Sequence, residues 1–278
     1  MSSTTNGPAP SADDGFRTRP GTPMIGPYSA AQMDDFHAAL SHGEVKPTGV
    51  MNLLQRLFIA QRCRPGDRLV DVCCGRGLQL PVLARYRPDL GHYLGLDVSP
   101  DNLAEGRARA AMNPAPFAVE FVHADVSKPW PAVGPFDVAV YTSALEHLPR
   151  EAGLASLRRT AAALVDGGRL FLSTPNTPGP PPRRLQHRVH VYEWSHQDLL
   201  DVLPALGLMV DDVVGILPPV DPSTTLTAVA ERFGPGGAEF YRALERHAPP
   251  ALLGPVVSTA LDGAASEVLY ACTKRTSS

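Results

Sequence analysis

Apolar positions along the chain switch between short continuous runs and helical spacing. Five runs come first: Leu69-Val70-Asp71-Val72, Tyr93-Leu94-Gly95-Leu96-Asp97, Val119-Glu120-Phe121-Val122, Phe136-Asp137-Val138-Ala139-Val140-Tyr141, and residues 169–173. Residues 209–214 and Val268-Leu269-Tyr270-Ala271-Cys272 follow. Short runs rich in Val, Leu and aromatic residues predict buried strands. Between them the period changes. Leu78, Leu80 and Leu83 fall on one helical face, as do Leu154, Leu157, Ala161 and Leu164. Ser99-Pro100 opens a helix as N-cap and first helical residue. Asp166-Gly167-Gly168 turns into the fifth strand. The alternation predicts an α/β fold: a doubly wound, Rossmann-like, seven-stranded sheet whose last strand pairs antiparallel beside the sixth.

The flanks read differently. Residues 1–27 are rich in Ser, Thr, Gly and Pro and are expected to be a disordered tail, with one domain over residues 28–278. Ser29 caps a helix carrying Met33, Phe36 and Leu40, ended by Gly43. Thr48 caps the next, with Val50, Leu53, Leu54 and Leu57. These N-terminal helices, residues 28–64, read as cover for the sheet and as a lid bringing Tyr28, His37 or Lys46 to a ligand. Residues 174–188 are too crowded with proline for a regular element. Within them, Arg183-Arg184 with Arg188 reads as a solvated basic run. Ser195 and Asp198 have capping-box spacing. Helical spacing recurs at Leu226, Val229, Ala230 and Phe233, then at Phe240, Ala243 and Leu244, then at Leu252, Leu253, Val256 and Val257. Residues 218–264 are therefore expected to be an inserted helical cap before the last strand, serving as a lid or a dimer contact.

Chemistry gathers where the first strands end. The first runs from Asp71 into Cys73-Cys74-Gly75-Arg76-Gly77, a small-residue loop that bends sharply and aims backbone N–H groups at a ligand. The second ends in Asp97, suited to accept from both ribose hydroxyls. The third leads into Ala124-Asp125-Val126, an acid for the amino edge of an adenine between two apolar walls. Three sequential strand tips make an adenosine site.

With those residues in hand, the chain resembles the class I S-adenosylmethionine (SAM)-dependent methyltransferases. The matching segments are Asp71 to Gly77, Gly95-Leu96-Asp97-Val98-Ser99, Ala124-Asp125-Val126, Ser143-Ala144-Leu145-Glu146-His147-Leu148-Pro149, Gly167-Gly168-Arg169-Leu170 and Ser173-Thr174-Pro175-Asn176. The likeness is closest to small-molecule enzymes of the ubiquinone-biosynthesis kind. It implies SAM as cofactor, S-adenosyl-L-homocysteine as product, and a cofactor site at Asp71, Cys73, Gly75, Gly77, Asp97, Val98, Ala124, Asp125, Val126 and Thr142. One departure stands out. Cys73 occupies the first glycine of the family's D-x-G-x-G-x-G loop, where a small side chain fits if φ is negative.

Methyl transfer is an in-line displacement, so alignment supplies much of the acceleration. A base is needed where the acceptor carries a proton. His147, just past the fourth strand, is the first candidate catalytic residue and His190 the next, with Glu146 and Glu193 beside them. Bracing of the turn is the competing role for Glu146 and His147. Some ubiquinone-type relatives carry E-x-x-E-H here as a possible metal site. Ser143 replaces the first acid, and one carboxylate with one imidazole makes a poor magnesium site, so no metal is expected.

Composition narrows the partners. A net charge of −3 and a pI near 6.3 point away from nucleic-acid and membrane surfaces. The acceptor is expected to be a small molecule presenting an O or N nucleophile, in a setting such as natural-product biosynthesis. Four cysteines without metal or disulfide spacing, and no apolar signal segment, suggest a cytoplasmic monomer or homodimer. Two other classes compete: a SAM-fold protein with a non-methylating activity (cyclase or decarboxylase) or a binding role, and a nicotinamide-dependent oxidoreductase. The second lacks the third glycine after Gly75 and Gly77.

Overall fold

The structure, a computed structural model, describes residues 47–131, 134–219 and 221–276. The tail expected at 1–27, the helix at 29–43 and the lid residues Tyr28, His37 and Lys46 lie outside the described residues. The seven apolar runs form one sheet: β1 (Arg68–Val72), β2 (His92–Asp97), β3 (Ala118–His123), β4 (Phe136–Thr142), β5 (Leu164–Pro175), β6 (Leu208–Leu217) and β7 (Glu267–Lys274). Their order is β3-β2-β1-β4-β5-β7-β6. Strands β1 to β5 pair in parallel, and β7 runs antiparallel between β5 and β6. Strand order reverses between β1 and β4. The carboxyl edge there is the ligand-binding edge of a doubly wound sheet.

Helices cover both faces because both faces are apolar. Helix α1 (Pro47–Arg62) lies along β5: Gln55 reaches Ser173, Phe58 meets Phe171 edge-on, and the Arg62 carbonyl takes a bond from Arg169. Its described part thus covers the sheet while its N-terminal half approaches the ligand edge. Helices α2 (Leu80–Tyr86) and α3 (Pro100–Met112) follow β1 and β2, α4 (Arg150–Ala163) follows β4, and α5 (His196–Ala205) follows the proline-rich segment. Ser99 caps α3 through the Asn102 N–H, and Ser195 and Asp198 form the full capping box of α5. Between β6 and β7 stand α6 (Pro222–Glu245) and α7 (Pro250–Ser258). They share a small core of Ala228, Val229, Tyr241, Leu253 and Leu261. Helix α6 kinks at Gly234, φ +73, directly before Pro235.

Two local features differ from expectation. Strand β5 starts at Leu164, not Arg169, directly after α4. Gly167 has φ +73, and pairing with β4 jumps from Leu164 to Arg169 across a bulge. The glycines expected to turn into the strand lie within it, because Gly167 takes the left-handed conformation that absorbs the extra residues. Arg183, read as solvated, is buried at 4% side-chain exposure and pairs with Asp198 at 2.7 Å. It also donates to the Glu193 carbonyl, fastening the proline-rich segment to the start of α5.

One ring explains several glycines. A Cβ built on Gly77, Gly95 or Gly106 would lie 2.8–2.9 Å from the Phe121 side chain. Phe121 on β3 therefore fills a slot made by the loop after β1, by β2 and by α3. Bulk on any of the three would force this ring to move.

Candidate active site

The loop after β1 holds three left-handed residues: Cys73 at φ +58, Gly75 at +55 and Gly77 at +69. The condition of a negative φ at Cys73 is therefore not met. This residue takes a glycine's conformation and carries a side chain in it, at a cost of about 1–2 kcal/mol. The thiol packs against the main core, and burial raises it to about 12. Gly75 differs from Gly77: a Cβ there meets nothing within 4 Å, whereas at Gly77 it meets Phe121. Gly75 fronts open space above the loop, while Gly77 is constrained by packing.

The strand-tip acids have distinct environments. Asp71 is buried and accepts from the Tyr93 hydroxyl at 2.7 Å. Burial pushes its pKa up to about 7, against the opposing Tyr93 hydrogen bond and the Arg56 charge. Asp97 accepts from the Gly75 N–H through Oδ2 and the Ser99 N–H through Oδ1, both at 2.8 Å. It ties the glycine loop to the start of α3. Asp125 is exposed, and its Oδ1 accepts from the Ser127 hydroxyl and N–H, which hold it below the usual carboxylate range. Ala124 and Val126 are buried in the core beside it, Val98 is 64% exposed, and Thr142 ends β4 half-buried.

Beyond β4 the chain turns at Ser143, φ +48, into a 3-10 turn, Leu145–His147. The Glu146 carbonyl then accepts from the N–H groups of Val191 (2.8 Å) and Tyr192 (3.2 Å). Those two bonds bring His190 beside His147, with rings nearly perpendicular and centroids 5.2 Å apart. His187 lies 5.3 Å from His190 on another side. The His190 Nδ1 contacts the carboxylate of Glu193, which is fully buried and also accepts from the Thr177 hydroxyl and the Gln186 N–H. Burial pushes Glu193 up, but these hydrogen bonds outweigh it and hold its pKa low. Glu146 is buried and accepts from the Thr174 hydroxyl at 3.0 Å; burial raises it.

The structure thus brings together both sequence-nominated imidazoles, His147 and His190, and adds partners the sequence reading left out. Glu193, a candidate base by its sequence position, supports His190 in the structure. Glu267, the first residue of β7, accepts from the Ser143 hydroxyl at 2.9 Å, and its pKa is pushed to about 8 by burial and then by the Glu146 charge. An acid just before the apolar run of an antiparallel strand was the signal that could have located it. The ground for expecting no metal also changes. Glu146, His147 and His190 bring one ligand atom each within 4.8 Å of one another, so the donor set holds a second imidazole.

A carboxyl-edge glycine loop, strand-tip acids and this sheet order define a class I SAM-dependent methyltransferase. The family profile described as a methyltransferase domain matches residues 47–234, and the chain belongs to that family. It is 31% identical over 157 residues to the ubiquinone biosynthesis O-methyltransferase of Xylella fastidiosa, covering 54% of this chain and 61% of that protein. It is 34% identical over 159 residues to the trans-aconitate 2-methyltransferase of Methylobacterium nodulans, covering 56% of each. Among solved structures, a putative methyltransferase from Bacillus halodurans matches with a TM-score of 0.52 at 17% identity, over 79% of this chain and 97% of that one. The cyclase SpnF has the same TM-score at 20% identity, over 79% of each. These two likenesses concern the fold.

SAM is the cofactor this family implies, and the loop fits it. The space in front of Gly75 is the cradle a side chain would fill, and Asp71, Asp97, exposed Val98 and Asp125 line the strand tips beside it. Gly75, Asp97, Val98 and Asp125 would hold the adenosine part. Asp71, a buried acid with an elevated pKa, would be relieved by a nearby ammonium.

Proposed function

We propose that this enzyme methylates an oxygen or nitrogen of a small-molecule acceptor and releases S-adenosyl-L-homocysteine. One observation carries the reading. The Glu146–His147–His190 cluster sits past the carboxyl end of β4, on the same sheet edge as Asp71, Asp97 and Asp125. Donor-side and acceptor-side candidates therefore share the sheet edge where strand order reverses, which is where ligands bind in doubly wound sheets. SAM supplies an electrophilic methyl group when bound. The chain's own residues then orient the acceptor: the two imidazoles present nitrogen atoms to it, Glu193 fixes the His190 ring, and Thr174 fixes Glu146. The named relatives act in ubiquinone biosynthesis and on trans-aconitate, which supports a small acceptor. The net charge of −3 and the four free thiols support a cytoplasmic setting away from nucleic acid. Residues 218–264 leave the carboxyl end of β6, on this edge, and serve in this reading as a cap over the acceptor.

The test has two parts. Calorimetric titration should show SAM binding and no NAD binding. Incubation with SAM and fractionated metabolites should then release S-adenosylhomocysteine in step with a methylated product. His147→Asn should keep SAM affinity and lose 10²–10⁴-fold in turnover, the usual range for removing a proton-handling group. Conversion of an acceptor without S-adenosylhomocysteine would favour a non-methylating reaction on this fold.

A further inference from the structure

Resting on the methyl-transfer reading, we propose that Glu267 is a further acceptor-contacting residue and that it sets acceptor charge: it binds an uncharged oxygen group, a hydroxyl or a carbonyl, and turns away carboxylates. Its place in the fold carries the argument. Strand β7 runs antiparallel, so its first residue lies at the carboxyl edge, where Glu267 pairs with Pro175 at the end of β5 and Leu217 at the end of β6. Alternate residues of a strand share a face. Glu267 alternates with Leu269 and Ala271, which pack in one core with Leu69 and with Ile59 of α1. Asp71 alternates with Leu69, so Glu267 and the donor-side Asp71 stand on the same face of the sheet. Past β4, the Ser143 hydroxyl donates to Glu267 Oε1 at 2.9 Å. The Ser143 N–H donates to the Ser173 carbonyl at 2.9 Å, which fixes that turn. The carboxyl is therefore held in place before any acceptor arrives.

Its surroundings decide what it can hold. Glu267 is 8% exposed, and the charges acting on it are those of Glu146 and Glu193, both acids. With no cation among those charges, burial of a carboxylate is costly, and protonation removes the cost. Burial first, and then Glu146, accordingly push its pKa to about 8. A neutral carboxyl group donates one hydrogen bond and accepts others. Ser143 uses Oε1, which leaves the O–H at Oε2 to donate to an acceptor oxygen. Carboxylate ligands are typically held by the paired N–H groups of an arginine. Here an incoming carboxylate would meet acids instead. The imidazoles do not reverse this balance, because His190 is matched by Glu193 and the His147 charge acts on Glu146.

The full-length enzyme tests this. A metabolite extract is split on an anion-exchange column at neutral pH, and each fraction is incubated with enzyme and SAM. Release of S-adenosylhomocysteine should come chiefly from the unretained fraction. Trans-aconitate, offered alone, should not be methylated. With the acceptor purified from the unretained fraction, Glu267→Ala should raise KM about 3–10-fold, the effect of losing one uncharged hydrogen bond, with kcat and calorimetric SAM affinity close to wild type. Glu267→Gln keeps an oxygen for Ser143 and an N–H for the acceptor, and should recover most of that loss. Circular dichroism verifies that each variant is folded. The fraction and trans-aconitate arms need no variant, so a misfolded alanine protein leaves the inference exposed to both. Release chiefly from the retained fraction, or methylation of trans-aconitate, overturns the inference and leaves methyl transfer standing. So does an alanine variant with wild-type KM, or a glutamine variant as impaired as alanine. Release from neither fraction while SAM binds defeats the methyl-transfer reading, and this inference with it.

Discussion

Cys73 shows how much one backbone angle decides. The residue sits at φ +58 with its side chain packed on the core, so strain and packing oppose each other at one position. Cys73→Gly relieves the strain, loses the packing and frees the unfolded chain, so stability should stay within about 1 kcal/mol of wild type with SAM affinity retained. Cys73→Val puts a β-branched side chain in the same conformation and should cost about 2 kcal/mol or more by urea denaturation. Equal midpoints for the two variants would show that the angle is not the constraint. Asp71 makes a pH prediction. Its folded pKa of about 7 lies above the ordinary value of 3.8, so the folded protein holds a proton that the unfolded chain gives up earlier. The stability this group contributes is present below pH ~4 and is lost as pH rises to ~7, an upper bound of about 4 kcal/mol. Asp71→Asn cannot ionise and keeps an oxygen for the Tyr93 hydroxyl. It should be more stable than wild type at pH 8 and similar at pH 4, and thermal melts at both pH values test this.

At the scale of elements, Phe121 predicts the most. Its ring fills the slot formed at Gly77, Gly95 and Gly106, so it links the glycine loop, β2 and α3. Phe121→Ala should destabilise by about 3–5 kcal/mol, the range for truncating a packed aromatic. It should also weaken SAM binding although the residue is not at a strand tip. Unaltered SAM affinity in a folded variant would show that the loop holds its shape without the ring. The strands were legible because each is a short apolar run, and the caps at Ser99 and Ser195 were legible because capping depends on local spacing. The start of β5 was not. Asp166-Gly167-Gly168 carries the signal of a turn, and only pairing with β4 shows that the strand passes through it as a bulge. The donor-side candidates could be assigned to strand tips for a similar reason, since they follow their strands directly. The meeting of His147 with His190 depends on a carbonyl at 146 accepting from 191 and 192, and no local pattern encodes that. Arg183 was misread because its partner Asp198 lies across a proline-rich segment of irregular path.

Across the whole molecule, stability should be uneven. The sheet carries two extensive cores, whereas α6 and α7 share only a small cluster and α6 is broken at Gly234. Amides of α6 should therefore exchange through a partial opening of lower free energy than amides of β1 and β4. Native-state hydrogen exchange tests this, and equal protection in both regions would mean the helices unfold only with the sheet. Helix α7 should be the better protected of the two, since it packs closely on β6 where Gly215 leaves room for the Ser258 carbonyl.

The aromatic slot has one more consequence, and it concerns the entropy of ligand capture. Glycine-rich loops ordinarily sample many shapes, and a ligand that selects one must offset that lost freedom. Here the ring of Phe121 and the Asp97 bond to the Gly75 N–H already hold the loop in one shape. The nucleotide half of the cofactor should meet a receptor that needs little rearrangement. Its association should then be fast, with a small heat-capacity change, leaving slower adjustments to the acceptor side.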